Sequence, residues 1–273
     1  GRVTFDRSGT TTLGATINTL NNVTASAGAT VDTATASSYT FSGDGSLTLA
    51  GNLTCYASGI TWTGITTSGS GSLTPTTATV SSSGAVTTAG TGTFGANTAW
   101  TFDCNAALTF GSGTTYSTAT AAGTFTAAGN VTLNGTTTFN GGTWTHDGST
   151  DTTTSGTEFD QRPAEIPAIN INKGSQTSKQ EFSIKIVVQY DLTLTAGILL
   201  FNNDRQVMRV MGAIVMVPNG IIEGRRGSLT FRNINGRGGQ LKITPSFDFR
   251  YIYSPPRAFN APVAGFPGTT NYI

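Results

Sequence analysis

A triplet made of an apolar residue, a threonine and a second apolar residue recurs along this chain, and no other feature restricts its fold as strongly. It reads VTF (3–5), YTF (39–41), LTL (47–49), LTC (53–55), WTF (100–102), LTF (108–110), VTL (131–133), LTL (192–194) and LTF (229–231). Side chains of an extended strand alternate between its two faces, so the outer residues of each triplet share one face and the threonine takes the other. This is the signature of a half-buried strand, and β-branched threonine suits one. No segment before residue 158 has a helical period.

The strands so marked are short, and they are broken by Gly, Asn-Gly or Ser-Gly, which supply tight corners. Neighbouring triplets begin at 39, 47 and 53, and again at 100 and 108. Strands this close together form either hairpins or successive faces of a solenoid coil. Two features favour the solenoid. The corners are almost all Gly, Ser, Ala and Asn, and the inward residues mix a few large side chains (Trp62, Trp100, Phe110, Phe125, Trp144) with very small ones, as a narrow stacked core requires. We therefore expect an all-β chain, a parallel β-helix or β-solenoid with coils of about 15–22 residues. A β-sandwich and a trimeric β-fibre are the alternatives.

Composition narrows the function classes. Charged residues make up 11% of the 273 residues, against about 25% in ordinary globular proteins. A formal net charge of +1 gives no reason to expect nucleic acid or a membrane surface as partner. The longest apolar stretches, 184–190 and 210–222, fall short of the ~18–20 residues that span a bilayer as a helix. The opening GRVTF, without Met, reads as a processed mature product. Charge is also uneven. Residues 1–157 carry only Arg2, Arg7, Asp6, Asp32, Asp44, Asp103, Asp147 and Asp151, whereas Lys, Arg and Glu become common from Glu158 onward. With Pro163 and Pro167 this places a boundary near 155–165. The expected organisation is a low-charge Thr/Gly/Ser-rich solenoid over 1–157 and a more aliphatic, charged continuation over 158–246. An aromatic, Pro-rich tail follows over 247–273.

The stretch DLTLTAGIL (191–199), followed after a polar corner by VMRVMG (207–212) and preceded by PAININKGSQ (167–176), resembles the coils of secreted bacterial surface adhesins. In those a unit of the form x-L-T-L-T-x-G-x-L leads through a corner into a second strand. The resemblance covers about 164–235 well and 1–157 only in composition. It implies a right-handed parallel β-helix outside the cell with an adhesive or structural role. The chain departs from that pattern in having no recognisable sorting domain or anchor at its C-terminus.

His146, the sole histidine, precedes Asp147 and shares a strand face with Trp144. A zinc or copper site needs three or four converging ligands, and the two cysteines lie more than forty residues away in sequence. His146 is thus expected to be a structural or surface residue, half-buried at a coil edge, and no metal or cofactor is expected. Asp147, Asp151, Glu158, Asp160 and Glu165 form the densest acidic stretch, but they read as a solvated boundary loop rather than a polysaccharide-cleaving cluster. An enzyme is not expected. Cys55 and Cys104 admit either a disulfide or two small buried apolar residues. Arg225, Arg226, Arg232 and Arg237, with Lys242 nearby, suit a salt-bridged or glycan-contacting surface. Phe247, Phe249, Tyr251, Tyr253, Phe259, Phe266 and Tyr272 suit either a cap on the last coil or a subunit contact. The T-x-T triplets at 61–63, 74–76, 77–79, 91–93, 118–120, 124–126 and 143–145 resemble the ranks of ice-binding solenoids, but their sequence spacing is irregular. Asn22, Asn52, Asn130 and Asn134 head N-x-T sequons.

The expectation for function is an extracellular structural protein: a self-assembling subunit of a surface filament, sheath or adhesive fibre, with itself as partner and surface glycan as a second one. The alternative is a bacteriophage tail fibre or tailspike on the virion that recognises cell-surface glycan.

Overall fold

In the computed structural model, residues 1–34, 39–56, 59–96, 98–117, 123–138, 141–156, 164–204, 206–236, 240–243 and 246–251 are described. Their regular structure is all strand, without helix. The strands pair in parallel, so the chain is a parallel β-solenoid rather than a hairpin sandwich. Contacts divide it into two compact units, Gly1–Thr143 and Trp144–Ile273. The compositional boundary at 157/158 lies outside the described residues.

In the first unit each coil contributes a strand to each of three faces. Face one holds Arg2–Phe5, Asn22–Ala25, Ser46–Leu49, Gly64–Thr67, Val86–Thr88, Leu108–Phe110 and Val131–Leu133. Their register stacks Val3, Val23, Leu47, Ile65, Val86, Leu108 and Val131 in one column. Successive members of that column are 20, 24, 18, 21, 22 and 23 residues apart in sequence. Coils therefore differ in length while the ladder keeps its register, because the extra residues are taken up in the corners. Face two stacks Val31, Leu53, Leu73, Phe94 and Tyr116. Face three stacks Ile60, Val80, Phe102 and Phe125, with Trp62, Ser82, Cys104 and Ala127 beside them.

These columns are the core. All the residues just named except Val3 are buried. The aromatic members pack as a cluster: Phe94 has ring centroids of Phe102 at 5.3 Å, Phe110 at 5.6 Å, and Trp100 and Tyr116 at 6.3 Å. Trp62 stacks against Ser82 of the next coil, and its indole N–H donates to the Phe41 carbonyl at 3.1 Å, so its one polar atom is satisfied.

The corners explain the glycines. A Cβ on Gly92 would lie 1.8 Å from the Gly71 carbonyl oxygen, and one on Gly71 would lie 2.1 Å from that of Leu49. Coils stacked at strand spacing leave no room there for a side chain. Gly92→Ala is expected to cost about 2 kcal/mol through forced backbone shifts, read as a fall in urea midpoint. Gly59→Ala is the control, since nothing lies within 4 Å of its added Cβ; it should change stability by less than about 0.5 kcal/mol.

The second unit keeps the parallel ladder with longer strands. Thr152–Ser155 pairs with Lys179–Phe182, and Ala164–Ile166 with Ile186–Val188. The ten-residue strand Leu192–Phe201 pairs through its first half with Ala168–Asn172 and through its second half with Lys179–Phe182. One strand thus serves two faces, with a register shift at Ile171/Asn172 and Gly197 (φ +93°) at the bend. Val207–Met216 and Gly227–Gly236 repeat this long form. Ile169, Ile171, Leu192, Leu194, Leu199, Met208, Val210, Ile214, Met216, Ile222 and Leu229 are buried.

Candidate functional site: threonine columns and a buried polar cluster

The outward side of face one carries a column of its own. In register with the buried residues, Thr4, Thr24, Thr48, Thr66, Thr87, Thr109 and Thr132 stand on seven successive rungs, each exposed or half-exposed. Parallel strands lie about 4.8 Å apart, which sets the repeat of these hydroxyl and methyl groups. Face two adds Thr10, Thr30, Asn52 and Ser72, and then Thr93, Thr115 and Thr136. The irregular sequence spacing of the T-x-T triplets had argued against ordered ranks. The columns are built from other threonines, Thr93 being the one residue they share with those triplets, and their regular ladder is hidden in the sequence by uneven corners.

The second site is inside the second unit, where the core stops being apolar. Thr152 and Thr154 point inward from one strand, and Gln180 from the strand beside it, with Thr152 and Gln180 directly opposite in register. Lys173 ends the inward series Ile169, Ile171, Lys173 and is 2% exposed. Its ammonium group donates to Thr152 Oγ1 at 2.8 Å, and Thr152 Oγ1 donates to Gln180 Oε1 at 2.6 Å. Gln180 Nε2 donates to Thr154 Oγ1 and to the Glu181 carbonyl, both at 3.1 Å. Burial lowers the Lys173 pKa, opposed by the nearby charges of Asp147 and then Asp151.

His146 is the clearest departure from the sequence reading. It is not half-buried at a coil edge but fully enclosed, at 0% exposure. Its ring stacks on Trp144 at 5.0 Å and meets Phe182 edge-on at 5.1 Å. Neither ring nitrogen has a hydrogen-bond partner among the described residues. Burial first, and the Lys173 charge second, lower its pKa to about 3, so the ring is neutral at pH 7. Asp147 and Gly148 after it form a polar corner in sequence, which is why the strand-end position of His146 reads as a coil edge, although its ring lies on the buried face. Among the described residues no three His, Cys, Asp or Glu converge as metal ligands.

Family models, curated proteins and solved structures all give no match to this chain.

Cys55 and Cys104 are separate free thiols, both buried, on faces two and three of the first unit. The disulfide is not made; both act as small apolar members of the inward columns, and burial raises both thiol pKa values. Arg225 pairs with Glu223 at 2.6 Å, and Arg226 with Asp204 at 3.9 Å, both side chains well exposed. Arg232 lies within Gly227–Gly236, and Arg237 lies outside the described residues. Phe247, Phe249 and Tyr251 belong to a strand paired with Gly227–Phe231, where Phe249 packs on Phe231 at 4.6 Å. Tyr253, Phe259, Phe266 and Tyr272 lie outside the described residues. Of the acidic stretch, Glu165 accepts from Gln189 at 2.8 Å and Asp151 from the Lys179 backbone at 2.9 Å, while Glu158 and Asp160 lie outside. Among the described residues no helix is long and apolar enough to cross a membrane.

Lys173, Gln180, Thr152 and Thr154 were not singled out from the sequence. The signal was available: in AININK the alternation that turns Ile169 and Ile171 inward also turns Lys173 inward.

Proposed function

We propose that this chain is an extracellular structural protein, a self-associating building block of a surface fibre or sheath rather than an enzyme. The observation that carries the reading is the continuous register of face one in the first unit, whose buried column runs through seven successive coils under an outward column of threonine. In such a stack each coil's apolar face is covered by its neighbours, so resistance to unfolding and proteolysis grows with the number of coils. Low surface charge removes the repulsion that keeps ordinary proteins apart. Negative-stain imaging of the purified chain tests the proposal: uniform filaments whose length grows with concentration are expected. Discrete threefold particles that bind surface glycan would instead support a phage-fibre role.

The threonine column of face one favours a second reading, in which the same surface binds an ordered lattice such as ice. A rigid array of hydroxyls and methyls at one spacing can meet a crystal face at many points at once, each weak and all simultaneous. Thermal hysteresis in the purified protein, abolished by Thr66→Tyr and Thr87→Tyr in mid-column, is the expected result under this reading. A wild-type protein that neither shapes ice nor depresses freezing would discard it.

A further inference from the structure

We propose that Thr152 and Gln180 form an intramolecular ester cross-link, Thr152 Oγ1 to Gln180 Cδ, with release of ammonia, joining two adjacent coils of the second unit. The inference starts from placement. Most inward positions of this unit hold Ile, Leu, Val, Met or an aromatic ring, with His146, Ser178 and Gln206 the other buried polar residues among those described, yet here four polar side chains converge in the core. A valine would match the shape of Thr152 without a buried hydroxyl to satisfy. The pair stands in direct register across parallel strands, so the hydroxyl and the carboxamide are held against each other by the ladder itself. Thr152 Oγ1 is 2.6 Å from Gln180 Oε1, and the carbonyl carbon is one bond beyond. The carboxamide cannot swing away, because its nitrogen is tied to Thr154 Oγ1 and the Glu181 carbonyl.

Lys173 Nζ, 2.8 Å from the same hydroxyl, is the proton carrier. In its neutral form, which burial favours, the amine accepts the Thr152 proton as Oγ1 attacks Cδ. The carbonyl π pair moves onto Oε1, where the new ammonium opposes the developing negative charge. When the carbonyl re-forms, the C–N bond breaks and Lys173 returns the proton to the departing nitrogen, which leaves as ammonia. One O–H and one C–N bond are broken, one C–O and one N–H are formed, and no oxidant or cofactor is consumed. All four side chains are buried, at 5% exposure or less, which slows hydrolysis of the ester. Effective concentration is the main accelerant, since fixed neighbours react without the entropy of encounter.

The test is intact-mass spectrometry of the full chain. The wild type is expected to weigh one ammonia less than its sequence, and digestion should yield a branched peptide linking Thr152 to Gln180. Thr152→Val should restore the full sequence mass, and Lys173→Met should slow the loss at least tenfold in freshly made protein. A wild type at full sequence mass after prolonged incubation would overturn the proposal without reference to any variant. So would an ammonia loss that persists in Thr152→Val, or one mapped to an Asn-Gly succinimide such as that at Asn134.

Discussion

Phe94→Ala is expected to destabilise the first unit by about 4 kcal/mol, near the upper end for large-to-small core changes. Phe94 stands on face two and packs against Phe102 of face three, Phe110 of face one, Tyr116 of its own face and Trp100. A solenoid core is one side chain wide, so the backbone on either side is held apart by the hydrogen-bonded ladder and cannot close on the cavity. The neighbouring Thr93→Ala removes an outward side chain and should change stability by less than about 0.5 kcal/mol. Urea unfolding followed by tryptophan fluorescence reads both, with Trp100 beside the lesion. If Phe94→Ala cost less than about 1 kcal/mol, the aromatic cluster would be a loose filling rather than the element that joins the faces.

The parts of this architecture that were legible in sequence are those that depend on alternation alone. In LTL (47–49) and LTC (53–55) the outer residues are buried and the threonine is outward, as period two requires. The same rule put Cys55 and Cys104 on the inward side, where both are found. What could not be read was register between coils. Thr48 and Thr66 are stacked neighbours although 18 residues separate them, while Thr24 and Thr48, also neighbours, are 24 apart. Corner length varies freely because glycine, serine and alanine make no demand on it, so sequence distance carries little information about which rungs meet. The buried polar cluster was obscured for a different reason. Lysine and glutamine are assigned to the surface by habit, and only the strand parity of Ile169, Ile171 and Lys173 argues otherwise. His146 was misplaced by its neighbours, since Asp147 and Gly148 announce a turn that begins after the ring is already inside.

That ring should control the acid limit of the second unit. The pKa of His146 falls from 6.5 to about 3 on folding, so the unfolded chain binds a proton that the folded chain refuses. Stability from this source is therefore complete above about pH 6.5 and is lost as pH falls toward 3, by about 4 kcal/mol over the whole interval. Carboxylates add their own acid dependence, so the informative quantity is the difference between proteins. His146→Phe keeps a flat ring between Trp144 and Phe182 and removes the titration. It should raise stability at pH 7 by about 1–3 kcal/mol, because two buried nitrogens without partners among the described residues are replaced by carbon. The gain should then widen steadily from pH 6.5 downward. Lys173→Met supplies the complementary check: removing the cation beside the ring should raise the folded pKa of His146 and shorten the acid-sensitive interval. Urea midpoints across pH 3–8 measure all three proteins. Parallel curves for wild type and His146→Phe would mean that the folded protein takes up the proton after all, through a water or a local opening that reaches the ring.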